Sequence, residues 1–452
     1  MKKFYDREEE LRLLGSVKEG ANLMVIYGRR RIGKTRLILE HLKGSDYRYV
    51  FIPRDVSVSR FLSELSGELG IPEFAGLKDA FSYLFETSEN VFIDEFQNLK
   101  YLDSSVFSRM QEMIDRLDFS GRNVNIFVAG SSHSMMRDIF MEHSRPLYGR
   151  ARVSLNLGPL PLRAVIEILS DMGIIDFGRQ IEFYSVLGGV PRYYEYLRGE
   201  DFYSEMRRLF FTDTAPLREE GKIVLLSEFG GEFSSYLSVL DAIAHGRRKL
   251  GDIAAELNQT APTVNKYLST LRREYGLIRR VVPATEPPSQ SRRGQYIIDD
   301  NFLSFWLRFV KRYENYYEQG LGDSVYDLFR RDINSFVSRT FEGIVRQSIR
   351  NSEDYDRVGS WWNRKGDEID IVALNEKRKE ILFGEVKWKN RPVGWNVVEE
   401  LMEKKELVNW HNGERKERFL VVSKSGFTKK CIERMDEEGI MHWGLKDIAS
   451  LL

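Results

Sequence analysis

LMVIYGRRRIGKT, residues 23–35, is the stretch on which the fold turns. Its first five residues, Leu23 to Tyr27, are apolar without interruption, as suits a strand buried on both faces. The next eight, Gly28-Arg-Arg-Arg-Ile-Gly33-Lys34-Thr35, fit the pattern GxxxxGK followed by Ser or Thr at every position, and a helix is expected to begin near Lys34. The glycines free the backbone to wrap its N–H groups around phosphates, and the helix N-terminus adds a favourable dipole. Lys34 would neutralise β- and γ-phosphate oxygens, and the Thr35 hydroxyl would take a position on Mg2+. Gly28, Arg31, Gly33, Lys34, Thr35 and Arg36 are therefore the residues expected to bind ATP.

Outward from this loop, short apolar strands recur at 47–53 (YRYVFIP), 89–95 (ENVFIDE) and 124–130 (VNIFVAG), with helical patterns between them. Strands alternating with helices imply a parallel sheet covered on both faces. A short helix is expected over 6–19, with Leu11, Leu13 and Leu14 on its apolar side. Asp94 ends the third strand, at the edge where open α/β sheets bind ligands. It is expected to hold Mg2+ through water while the adjacent Glu95 orients the attacking water. After the fourth strand, Ser131 or Ser132 could sense the γ-phosphate, although serines there are also ordinary turn residues.

The segments FYDREEELRLL, GRRRIGKT, FIDEFQNL, AGSS, PLYGRA and GGVPRYY follow one another in the order seen in an archaeal branch of AAA+-type P-loop ATPases. Over nearly its whole length the chain resembles that family. The resemblance implies an α/β fold with a P-loop NTPase parallel sheet and a helical lid. A winged helix and a C-terminal α/β restriction-endonuclease-like domain would follow. It also implies that Arg150 of PLYGRA, just before the next strand, is an arginine finger, and that Arg192 of GGVPRYY faces nucleotide from the lid. An arginine before a strand is also commonly a surface ion pair. As a finger, Arg150 would require a neighbouring subunit and hence a homo-oligomer; otherwise a monomer suffices.

Three helices in quick succession, SSYLSVLDAIAHG, RKLGDIAAELN and APTVNKYLSTLRREYGLI, precede a two-stranded wing, IRRVVPATEPPSQSRRGQYIID, with a polar tip. Thr260 caps the third helix and Pro262 sits in its first turn. Thr263, Asn265, Lys266 and Thr270 should face outward, and Val264, Tyr267, Leu268 and Leu271 inward. Residues 245–293 carry ten Lys or Arg against four Asp or Glu, an excess of six that suits phosphate contacts with double-stranded DNA. Winged helices also serve as packing or protein-binding modules.

Further on, VGSWWNRKGDEIDIVALNEKRKEILFGEVKWKNRPV holds two strands, 368–374 and 381–388, joined by a charged turn. Alternation puts Asp370 with Glu368 on one face, and Glu385 with Lys387. An acidic residue on one strand and Glu-x-Lys on its hairpin partner is the D…ExK constellation of restriction-endonuclease-like nucleases. Asp370 and Glu385 would bind Mg2+ or Mn2+, Glu342 on the preceding helix would complete the metal site, and Lys387 would orient the metal-activated water. Carboxylates and lysines also alternate on plain solvated sheet edges.

Composition sets limits. The 452 residues include 68 Lys or Arg and 68 Asp or Glu, so any nucleic-acid patch is local. One cysteine, Cys431, excludes an intrachain disulfide and a cysteine-built zinc site. The charged N-terminus lacks a signal-peptide core, and no apolar run approaches the ~20 residues a bilayer span needs. A cytoplasmic protein without membrane attachment is expected. Its segments would be an ATPase core at 1–157, a lid at 158–225, a winged helix at 226–300, a helical connector at 301–335 and the nuclease-like domain at 336–452. The resulting reading is an ATPase that binds DNA and cleaves it with a metal-dependent C-terminal domain. The alternative is an ATP-dependent regulatory switch with a catalytically silent C-terminal domain.

Overall fold

A computed structural model describes residues 3–16, 19–352 and 354–452, and the chain divides into two compact units. The first comprises Met1–Leu160, Gly189–Glu195 and Leu226–Gly230. Its strands are β1 (Ala21–Tyr27), β2 (Arg48–Phe51), β3 (Asn90–Asp94), β4 (Val124–Gly130) and β5 (Ala151–Asn156). They form one sheet in the order β2-β3-β4-β1-β5, with every pair parallel. The interior strand β3 is buried at all of its residues and β1 at all but Tyr27, whereas the edge strand β5 alternates half-buried and exposed. That contrast follows from helices covering both faces in the middle of the sheet only. Helix α1 (Lys34–His41) starts at the residue expected from the sequence. Val25, Ile93 and Val128 of the sheet pack with Phe81, Phe85 and Met110 of the covering helices in one apolar core. The short N-terminal helix spans Glu8–Leu14, with Leu14 buried and Leu13 42% exposed, so Leu13 does not share its apolar side. Residues 17 and 18 of the expected helix lie outside the described residues.

The second unit comprises Pro161–Gly188, Tyr196–Leu225 and Gly231–Leu452. Helices α2 (Phe233–Ala244), α3 (Leu250–Glu256) and α4 (Ala261–Arg273) lead into an antiparallel hairpin of β6 (Ile278–Val281) and β7 (Gln295–Ile298). The Thr260 hydroxyl caps α4 by accepting from the Thr263 N–H at 3.4 Å. Val264, Leu268 and Leu271 are buried while Thr263, Asn265 and Lys266 are exposed, in line with the helical period; Thr270 and Tyr267 are half-buried. The hairpin tip does not project freely. The Ala284 N–H donates to the Ser360 carbonyl at 2.9 Å, Arg293 Nη1 to the Trp362 carbonyl at 2.7 Å, and Trp362 Nε1 to the Arg293 carbonyl at 3.1 Å.

The aromatic stretch after 301 is interior. Phe305 and Phe309 meet Phe329 and Phe336 of α5 (Gly322–Asn351) edge-on, with ring centroids 5.1 to 5.9 Å apart counting the Phe305–Phe309 pair. Helix α5 runs unbroken past residue 335 and packs against a mixed C-terminal sheet. That sheet has the order β12-β11-β10-β9-β8, from β8 (Arg357–Trp362), β9 (Glu368–Asn375), β10 (Glu380–Lys387), β11 (Lys416–Ser423) and β12 (Met441–Trp443). The pairs β8–β9 and β9–β10 are antiparallel, and β10–β11 and β11–β12 parallel. Helix α6 (Asn396–Lys405) carries the crossover between the parallel strands β10 and β11. Among the described residues, no helix is long and apolar enough to cross a membrane.

Candidate functional site

The loop after β1 is shaped by two glycines for different reasons. Gly28 has φ 149°, and a Cβ there would stand 2.4 Å from the Leu157 carbonyl oxygen, so both backbone and space demand glycine. At Gly33, φ is 102° with open space around it, so only the backbone conformation demands it. Lys34 Nζ donates to the carbonyls of Gly28 at 2.8 Å and Arg29 at 3.0 Å, folding the side chain back along the loop. Burial pushes its pKa down to about 8, against the opposing pull of Glu95, Asp94 and Glu228.

Parallel registry aligns the carboxyl ends of the strands, Tyr27 opposite Gly130 and Phe51 opposite Asp94, so β1, β3 and β4 deliver their following residues to one edge. There the Thr35 hydroxyl donates to Asp94 Oδ2 at 2.8 Å, and the Glu95 N–H donates to Asp94 Oδ1 at 2.9 Å. The Tyr49 hydroxyl is 3.3 Å from Asp94 Oδ2. Burial holds the Asp94 carboxyl above its ordinary range. A hydroxyl and a carboxylate side by side at the mouth of a phosphate loop are the oxygen donors Mg2+ takes, so these residues fit the ion. Glu95, with φ 54°, accepts from the Ser131 hydroxyl and from Gln97 Nε2, both at 2.6 Å onto Oε2. Ser131 thus addresses Glu95, while Ser132 caps the helix His133–Met141 through the Met135 N–H.

Glu228, which the sequence does not single out, belongs to this site. Its carboxylate accepts from the His133 N–H at 3.2 Å, and Lys34 and Arg29 both act on its charge. Burial raises its pKa to about 7. It lies 95 positions from its partner in a helical stretch of ordinary composition, so no local pattern marks it. Gln97 was likewise missed.

The expected arginines take other places. Arg150 forms a two-pronged ion pair with Asp115, Nε and Nη2 each at 2.9 Å, and its Nη1 donates to the Pro146 carbonyl at 2.9 Å. It adjoins Ala151, which pairs with Leu23, so it stands at the amino end of the sheet, four residues of strand (roughly 13 Å) from the level of Tyr27. Within one chain it does not serve as a finger. Arg36 donates to the Lys3 carbonyl at 2.7 Å and lies 3.7 Å from Glu195, and Arg192 also pairs with Glu195. Arg31 is half-buried in the loop with φ 67°.

A second polar cluster lies on the C-terminal sheet. The β9–β10 register ends with Ile371 opposite Gly384, and one further step sets Asp370 opposite Glu385. Asp370 Oδ2 accepts the Val386 N–H at 2.9 Å. Lys387 Nζ pairs with Glu385 Oε1, while the buried Glu385 Oε2 has no hydrogen-bond partner among the described residues. Arg346 stands 3.6 Å from Glu342 and donates to the Asp370 carbonyl at 2.8 Å. Burial raises all three carboxyls; Asp370 adds to the effect on Glu385 and on Glu342, which reaches about 7. Burial pulls Lys387 down, but Glu385, Asp370 and Glu400 together hold it above its usual value. Among the described residues no group of three His, Cys, Asp or Glu side chains is disposed to hold a metal. Asp370 and Glu385 come together as the sequence led us to expect; Glu342, turned to Arg346, does not join them as a third ligand.

Comparison with known proteins accords with the first site. Residues 20–166 match the AAA domain family, residues 236–281 the IclR helix-turn-helix domain family, and residues 306–406 a family described as archaeal and bacterial proteins of unknown function. An uncharacterized protein of Methanocaldococcus jannaschii is 30% identical over 396 residues, covering 86% of this chain and 88% of that one. A Walker-type ATPase of Pyrococcus abyssi shares the fold, with TM-score 0.52 and 21% identity, over 68% of this chain and 96% of that one. The first site is that of an AAA-type P-loop ATPase.

Proposed function

The chain belongs to the same family as the uncharacterized Methanocaldococcus jannaschii protein, and from that premise we propose that it hydrolyses ATP to control its grip on duplex DNA. The observation that carries the reading is the pairing, in one chain, of the Lys34–Thr35–Asp94 nucleotide site with a capped helix α4 whose exposed edge bears Thr263, Asn265 and Lys266. When nucleotide binds, Lys34 would exchange two backbone carbonyls for phosphate oxygens, and Thr35 and Asp94 would hold Mg2+, whose charge would offset that developing on the phosphates. Glu95 is the group that positions the attacking water, and Ser131 and Gln97 fix its carboxylate in place. Glu228 feels the same phosphates through Lys34. From Glu228 the chain soon passes out of the ATPase unit, at Gly231, and runs on into α2. That continuity is the route by which nucleotide state would reach the helix-turn-helix segment.

A second reading is favoured by one further observation, the pair of half-buried Asp370 and buried Glu385 with Lys387 against it. Two carboxylates fit a divalent ion such as Mg2+ or Mn2+, and among the described residues Glu385 Oε2 has no other partner to satisfy it. The ion would supply an activated water, and Lys387 would stabilise the charge on the attacked phosphodiester. Incubating supercoiled and linear DNA with Mg2+ or Mn2+, with and without ATP, tests both readings. Cleavage lost in Asp370→Ala supports the nuclease. DNA binding without cleavage leaves a regulatory ATPase with a silent C-terminal domain, and neither result in any nucleotide state removes DNA from the account.

A further inference from the structure

Buried or crowded cations are normally paired, because an isolated charge loses more hydration than any neighbour returns. In the second unit the half-buried Arg248 and Arg308 depart from that rule, and the exposed Arg339 joins them: among the described residues none of the three forms an ion pair or donates a side-chain hydrogen bond to a protein group, and Arg308 rests only over the Phe309 ring. They come from three segments that the fold draws together. Arg248 lies between α2 and α3, and its carbonyl accepts the Tyr296 N–H of β7 at 2.7 Å. Arg308 lies in the π-helical turn Trp306–Val310, beside Phe309, whose ring sits 5.5 Å from that of Phe336 on α5. Arg339 follows Phe336 by one helical turn and precedes Glu342 by another, so the aromatic contact sets Arg308 and Arg339 alongside the approach to the carboxylates. Arg248 and Arg308 are half-buried, while Arg339 itself is exposed. Burial, followed by the charges of Arg248 and Arg308, lowers its pKa to about 10 against the pull of Glu342 and Glu368.

We propose that Arg248, Arg308 and Arg339 form a binding site for the phosphodiester backbone of duplex DNA, running from the helix-turn-helix segment to the carboxylates of the C-terminal sheet. Three unpaired guanidinium groups held together repel one another, and a row of phosphates offsets that repulsion with fork-shaped, charge-assisted hydrogen bonds. Arg248 belongs to the same segment as α4, so a duplex held by that helix is within reach of it. The proposal deepens the DNA reading above and rests on it.

The test is fluorescence anisotropy of a labelled random-sequence duplex with the full chain over a series of salt concentrations, in chelator so that nothing is cut. Arg308→Gln and Arg339→Gln should each weaken binding about tenfold and reduce the log–log salt slope by about one, because one phosphate contact releases about one counterion. Arg339→Lys should retain most of the affinity, and ATP turnover should not change in any of the three. Lys266→Gln is measured in parallel to separate the two ideas. Wild-type affinity in both glutamine variants, with Lys266→Gln weakened, overturns the arginine site and leaves the helix-turn-helix reading standing. Weakening by the arginine variants with Lys266→Gln unaffected keeps the site and removes α4 from the interface. A wild-type protein that binds no duplex at low salt overturns both, and a preference for duplex RNA overturns the ligand class.

Discussion

Lys34 and Glu228 together show how one residue sets the terms for its ligand. Lys34 carries a pKa lowered to about 8 by burial, and phosphate beside it would raise that value again. Binding therefore favours the protonated lysine: ATP affinity should be full below pH 8 and fall by about tenfold per pH unit above it, until the pKa of the bound state is reached. Titration calorimetry between neutral pH and moderately alkaline pH reads this directly. A flat profile would mean that the lysine is not the group that meets the phosphates. Glu228 places negative charge where phosphate must arrive, so Glu228→Gln should tighten ATP binding several-fold, and weaker binding would show that the carboxylate assists the nucleotide instead. Glu95→Gln should bind ATP but turn it over about 100-fold more slowly, the scale expected when a general base or water-positioning group is lost; phosphate-release kinetics decide it. At this scale legibility depended on distance along the chain. Gly28, Gly33, Lys34 and Thr35 fall within eight residues whose local pattern dictates their geometry. Glu228 reaches the site only through tertiary packing, and Arg150, in the turn before β5, pairs with Asp115 of the helix Val106–Phe119, a partner that no spacing rule reveals.

Elements were more legible than their docking. Strands β1, β3 and β4 appear where apolar runs place them, because a strand buried on both faces needs an uninterrupted apolar stretch, while the edge strand β2 buries only Val50. Likewise α4 starts at its Thr260 cap, and Thr260→Ala should cost about 1 kcal/mol of stability, measurable as a lower urea midpoint with an unchanged slope. An unchanged midpoint would mean that another group satisfies the helix end. The hairpin after α4 also forms, but its tip is fastened to β8 through Ala284, Arg293 and Trp362 instead of reaching out as a wing. Polarity marked that tip as exposed; nothing local says that its backbone groups meet Ser360 and Trp362, 69 or more residues away in sequence. On the C-terminal sheet, alternation alone brought Asp370 to Glu385, while the ion pairs that occupy Lys387 and Glu342 required the packed structure.

At the scale of the whole molecule, the chain crosses between its two units at residues 160, 188, 195, 225 and 230, so neither unit is a simple appended module. Repeated crossing gives nucleotide chemistry in one unit several covalent routes into the other. The central claim is that ATP governs engagement of duplex DNA, and equilibrium binding of a labelled duplex to Glu95→Gln protein, with and without saturating ATP and Mg2+, tests it most directly. The variant holds the ATP state by blocking turnover. A difference in DNA affinity of about tenfold, equivalent to 1.4 kcal/mol of coupling, together with a linear fall of log affinity with log salt, is the expected result. Equal affinity in the two states, or no DNA binding at low salt in either, would contradict the account.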